Sequence, residues 1–203
     1  MRVTQTRRAL VSAALLLVAL APAPAYADWF ITPFLGVKFG GSTSIVDLDQ
    51  AATKTTLTFG GSVSRVGDGL FGVEVEAAVV PGYFEREDVQ RPLVASSYVV
   101  DLSGNAIFAL PPNLTGGGLR PYLTAGLGLM HAEGVDILTF LRIRRTMPAI
   151  TLGAGATGLL TNRVGVRFDL RYLRSIAQED AFQISVGRQL SYWRGTIGVA
   201  VKY

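Results

Sequence analysis

From Trp29 to Tyr203 the apolar residues recur at every second position, in segments bounded by Gly, Pro, Asn, Asp and Ser. Successive side chains of a strand point to opposite faces, so this period builds strands with one oily and one polar face and excludes helices. Segment 71–80 is the plainest case, with Phe71, Val73, Val75, Ala77 and Val79 opposed by Glu74 and Glu76. In 55–64, Leu57, Phe59 and Val63 oppose Thr56, Thr58, Ser62 and Ser64. The same division runs through 97–109, 120–132, 164–172 and 193–203. Segments 29–39 and 147–160 fit more loosely, because Phe30 and Phe34 stand among the polar positions of the first and Gly and Ala dilute the second.

These segments predict eight strands, each as long as the ~9–11 residues a tilted strand needs to cross a bilayer and about twice the common length in soluble sheets. The connections 40–54, 81–96, 133–146 and 173–192 are long, while 65–70, 110–119 and 161–163 are short, in strict alternation. In an up-and-down meander this puts short turns at one end and long loops at the other, the asymmetry of outer-membrane barrels. Composition agrees. The chain is 49% hydrophobic and 17% charged with a mean hydropathy of +0.36, yet past residue 21 it has no apolar run near the ~18 residues of a spanning helix. The absence of cysteine excludes a disulfide scaffold or a thiolate metal site.

Residues 1–27 read as a cleavable secretory leader. Arg2, Arg7 and Arg8 precede an apolar stretch from Ala9 to Ala21; Pro22 and Pro24 follow, and Ala25-Tyr26-Ala27 places small residues before a cut between Ala27 and Asp28. The expected mature domain is 28–203. The leader takes three of the 19 basic residues, so 16 against 15 acidic residues leaves a net charge of about +1. The high isoelectric point is therefore no sign of a nucleic-acid partner, and none is expected.

Two features set which face points outward. Bulky aromatics of the apolar parity gather at the strand ends: Trp29, Phe71, Phe108 and Tyr203 at the short-turn end, and Phe39, Tyr98, Tyr172 and Trp193 at the long-loop end. Two such rings are what the interfaces of a bilayer select. The polar parity carries Lys38, Arg120, Arg167, Arg171, Arg194 and Lys202 with Glu74, Glu76, Asp101 and Asp169. Lipid-facing Arg or Lys would cost about 2–4 kcal/mol each at mid-depth. A narrow eight-strand bore can instead be filled by these side chains as a paired network. A soluble lipophile carrier, oily inside, has no reason for the aromatic rings.

The segment Arg120–Leu129, read RPYLTAGLGL, the strand Arg167–Tyr172, read RFDLRY, and the ending Gly198–Tyr203, read GVAVKY, resemble the small outer-membrane β-barrel family of Gram-negative bacteria that includes the OmpA transmembrane domain. The resemblance spans 28–203. It implies an integral outer-membrane barrel in contact with membrane lipid and lipopolysaccharide, and assembly machinery that reads the last strand through Tyr203, Val201, Val199 and Ile197. The family more often ends in Phe, so Tyr203 is a departure that weakens that recognition.

Catalytic and cofactor chemistry finds little support. Gly153-Ala-Gly-Ala-Thr-Gly158 has the spacing of a dinucleotide fingerprint, but Thr161-Asn162-Arg163 and another alternating segment follow where a helix would be needed. His131 is the only histidine, which excludes a multi-histidine metal site. His131 with Glu133 lacks the serine spacing of lipid A deacylase-like enzymes. Arg142, Arg144 and Arg145 fall in the third long connection, and Glu85, Arg86, Glu87 and Asp88 in the second; the first group could meet lipopolysaccharide phosphates, and both read as solvated loop charge. The expectation is a barrel with a side-chain-filled lumen and a structural or adhesive role, with no catalytic residue, cofactor or metal. The alternative is a narrow pore for water or small ions.

Overall fold

The computed structural model describes residues 27–43, 55–83, 94–115, 118–136, 142–176 and 190–203. The leader, apart from Ala27, lies outside the described residues, as do Glu85–Asp88. The strands are β1 (Ala27–Thr43), β2 (Thr56–Gly67), β3 (Phe71–Pro81), β4 (Val94–Ala109), β5 (Leu119–Asp136), β6 (Arg142–Leu159), β7 (Val164–Ser175) and β8 (Leu190–Lys202). Each pairs antiparallel with its neighbours in sequence, and β1 pairs with β8, so the sheet closes. Closure leaves no unpaired sheet edge.

Several strands run further than the alternation alone indicated. β5 and β6 continue past the expected ends at 132 and 147, so that Ala132 faces Arg145 and Val135 faces Arg142. Arg142, Arg144 and Arg145 therefore belong to β6 rather than to a long loop. The connection that remains, 137–141, is shorter than 110–118, so strict alternation of lengths fails at the β5–β6 hairpin. Hydrogen bonding sustains a hairpin beyond the zone where burial selects alternate apolar residues, and sequence periodicity cannot register it there. β8 likewise begins at Leu190, while Leu160, expected in β6, lies in the turn that follows.

The short-turn end is pinned by local hydrogen bonds. Thr161 Oγ1 accepts the Val164 amide at 3.0 Å, closing the β6–β7 turn. Between β4 and β5 a single helical turn, α1 (Pro112–Thr115), fills the connection. Arg120 donates to the carbonyls of Leu110 at 2.8 Å, Gly67 at 2.9 Å and Gly69 at 2.6 Å, tying two neighbouring turns together. At the opposite end, the β1–β8 register slips by one residue between Phe39 and Ser42. Gly40 takes a φ of 57° there, a conformation that disfavours residues with a Cβ.

Parity and burial coincide over the strands. Leu57, Leu123 and Leu127 stand exposed on the outer wall while Thr58, Thr124 and Ser103 on neighbouring positions are buried inside. Phe34, an apolar residue on the polar parity, also turns inward and is buried.

Candidate functional site

The bore of the barrel is the feature in which charged chemistry converges, and it is layered along its axis. Its middle holds a belt from β3, β4, β7 and β8. Arg171 donates to Glu74 Oε1 at 2.5 Å and to Asp169 Oδ1 at 2.7 Å, and faces Glu76 Oε2 at 3.1 Å. Arg167 pairs with Glu74, donates to Asp169 Oδ2 at 3.0 Å and, through Nε, to the Tyr122 hydroxyl at 2.6 Å; that hydroxyl in turn donates to Asp169. Arg194 pairs with Glu76 and donates to both oxygens of Asp101 at 3.0 Å. Each guanidinium thus offers its donors to at least two carboxylates, which offsets the desolvation of charges that are 1% exposed in Arg171 and Arg194.

Lys38 is buried in the same bore, its Nζ 4.2 Å from the centre of the Tyr83 ring. Among the described residues, Lys38, Arg167, Arg171 and Arg194 stand against Glu74, Glu76, Asp101 and Asp169 in the interior, four formal charges of each sign. Neutral polar groups extend the network, since Asn105 donates to Glu74 at 3.3 Å and accepts from Thr151 at 2.6 Å. Glycines on the inner parity admit these side chains. A Cβ on Gly153 would lie 2.8 Å from Arg171 Cγ, and one on Gly155 would overlap the Tyr122 ring and hydroxyl. The first two glycines of the fingerprint spacing are therefore required by packing in the bore, whereas a Cβ on Gly158 would meet nothing closer than 3.5 Å.

Two expected members of the network lie elsewhere. Arg120 is engaged with turn carbonyls at the short-turn rim. Lys202 pairs with Asp28 at 2.6 Å at the same rim, both side chains about a third exposed. Arg120 and Lys202 belong to the last pairs of their strands, where the bore has already opened. Conversely, the polar parity concealed an apolar cluster at the long-loop end, made of Val80, Tyr83, Val99, Met130, Ala132, Ala149, Leu173, Leu190 and Tyr192. Tyr192 joins it to the belt by a 3.2 Å hydrogen bond to Asp101. Burial pushes the Tyr83 phenol above its ordinary pKa, keeping it neutral. The signal for this cluster was present in apolar residues at inner positions near strand ends, which average out against the charged middle.

On the outer wall, Trp29, Phe71, Phe108 and Tyr203 are exposed at the short-turn end, and Phe39, Tyr98 and Trp193 at the other, with Tyr172 half-buried. Phe71 and Phe108 are directly paired with ring centres 5.3 Å apart, as are Tyr172 and Trp193 at 5.1 Å. His131 hydrogen-bonds Thr146 at 2.8 Å, whereas Glu133 accepts from Tyr98 at 2.6 Å, so the two do not form a pair. Below the belt, at the short-turn end, a cavity of about 160 Å³ opens, bordered by Thr32, Ile107, Ala109 and Arg167.

A family model described as "Outer membrane protein beta-barrel domain" matches residues 13–203. No curated protein sequence matches the chain. Among solved structures it is similar to Neisserial surface protein A, at 16% identity and a TM-score of 0.59, over 87% of this chain and 97% of that one. A major outer membrane protein from Thermus thermophilus gives 13% identity and a TM-score of 0.52, over 88% and 100%. Ail, the attachment invasion locus protein of Yersinia pestis, solved with the heparin analogue sucrose octasulfate, gives 15% and 0.50, over 86% and 98%. At such identities the likeness is one of fold.

Proposed function

The chain belongs to the outer membrane protein beta-barrel domain family and is an integral protein of the bacterial outer membrane, and from that premise we propose that it is a closed barrel with a structural or adhesive role. The observation that carries this reading is the belt of Arg167, Arg171 and Arg194 with Glu74, Glu76, Asp101 and Asp169 across the bore. Ions entering would have to break several buried charge-assisted bonds at once, and the apolar cluster around Tyr83 and Tyr192 backs the belt on the loop side. A filled bore leaves the connections between strands as the surface open to partners.

Support for adhesion comes from the fold shared with Ail, whose structure holds a heparin analogue. The barrel stands in membrane lipid and lipopolysaccharide with short turns toward the periplasm. Leader removal between Ala27 and Asp28 leaves Asp28 as the first residue of β1, and β8 with Tyr203 directly after it is the segment the assembly machinery reads. No catalytic role is assigned.

Single-channel recording of the refolded chain in planar bilayers tests the closed bore. Silence at physiological salt is expected. Steady conductance would replace this reading with that of a narrow pore.

A further inference from the structure

We propose that the outer wall at the short-turn end carries a binding site for the phosphate of an anionic phospholipid, built on Arg65 beside Trp29. Among the described residues, Arg65 is the single charged side chain on the lipid-facing parity of the strands in the short-turn half of the barrel. A connection expected to begin at residue 65 hid it, whereas β2 runs on to Gly67. The register fixes its place. Arg65 faces Trp29 across the β1–β2 pair and Val73 across the β2–β3 pair, neighbours that are 50% and 62% exposed on the outer wall. Phe71 stands two residues before Val73. Arg65 therefore belongs to the aromatic ring of the short-turn interface rather than to mid-depth, where a charge is costly.

The surroundings supply no counter-charge. Among the described residues the Arg65 guanidinium meets the Trp29 ring, 5.8 Å from its centre, and no carboxylate. Asp28 and Asp68 border the mouth of the bore instead, and Asp28 is paired there with Lys202. Ile31, Val63, Val73 and Val75 make the wall around Arg65 apolar. An arginine on such a wall lays its stem along the hydrocarbon and carries its head to the headgroup level. The anion on offer at that level is a phosphodiester, which matches the planar fork of a guanidinium. The cation–π contact with Trp29 takes up a face of the guanidinium and leaves its N–H edge for the phosphate. The lack of a carboxylate also selects among headgroups. A headgroup ammonium would find no acceptor here and already neutralises its own phosphate, whereas a glycerol headgroup leaves the phosphate charge to Arg65.

The test uses the full chain carrying Trp193→Phe, which leaves Trp29 as the only tryptophan. It is refolded in phosphatidylcholine vesicles containing a minor share of acyl-brominated phosphatidylglycerol, phosphatidylethanolamine or phosphatidylcholine, and quenching of Trp29 reads the local share of each brominated lipid. At low salt, phosphatidylglycerol is expected to be enriched about 5-fold over the other two, the worth of one arginine at an anionic membrane surface. Arg65→Gln, or Arg65→Met should the first not fold, should remove that enrichment. Arg163→Gln, which takes the same charge from the exposed β6–β7 turn, should leave it. Equal quenching by the three lipids in the parent chain, enrichment of phosphatidylethanolamine equal to that of phosphatidylglycerol, or an equal loss on Arg163→Gln would overturn the assignment. The site lies on the outer wall, so this result is independent of whether the bore conducts.

Discussion

The middle of the bore and its long-loop end are built from the same inward-facing parity of the same strands, yet one is filled by ions and the other by oil. In the middle, Arg171 and Arg194 are held among Glu74, Glu76, Asp101 and Asp169. A few residues further along the same strands, Val80, Val99, Leu173 and Tyr192 close into a dry cluster. Alternation sets whether a side chain faces lipid or lumen; its height along the strand sets what the lumen there requires. In the belt a residue is held by the number of opposite charges it reaches, and in the cluster by the shape it fills.

The contrast is open to breaking by substitution, with stability read as the urea midpoint of the chain in phospholipid vesicles. Arg171→Met should act most strongly, losing about 3–5 kcal/mol, because it leaves Glu74, Glu76 and Asp169 one cation short in a buried site. Adding Glu74→Gln to it should recover part of the loss if charge imbalance is the cause, and none if side-chain volume is. Leu173→Ala should cost about 3 kcal/mol through the cavity it opens in the loop-end cluster, with no rescue by any change of charge. Lys202→Ala, at a rim pair that is a third exposed, should cost less than about 1 kcal/mol. A loss at Lys202 as large as that at Arg171 would erase the distinction between belt and rim.

What could be read from the sequence follows the same division. Eight strands, closure and the inward turn of Glu74, Glu76, Asp101, Arg167, Asp169, Arg171 and Arg194 follow from alternation, because a charge in lipid is too costly to misplace. Arg120 and Lys202 share that parity, but at the rim a charge costs little on either side of the wall. Parity there no longer implies a partner in the belt. The loop-end cluster escaped because apolar residues on an inner face carry no sign of their own: Val80 and Val99 fit a lumen as readily as a bilayer. The prolonged β5–β6 hairpin escaped because its outer stretch, Arg142–Arg145 against Ala132–Val135, is held by the backbone ladder rather than by alternation.

The inside-out arrangement itself is the claim on which the rest depends, and the absence of native cysteine makes it accessible to single-cysteine labelling. A bimane probe on Leu127→Cys, 68% exposed on the outer wall, and one on Ser103→Cys, 3% exposed in the bore, are compared in vesicles of brominated phospholipid. Strong quenching at position 127 with little at 103 is the result predicted. Quenching at 103 equal to or above that at 127 would contradict it.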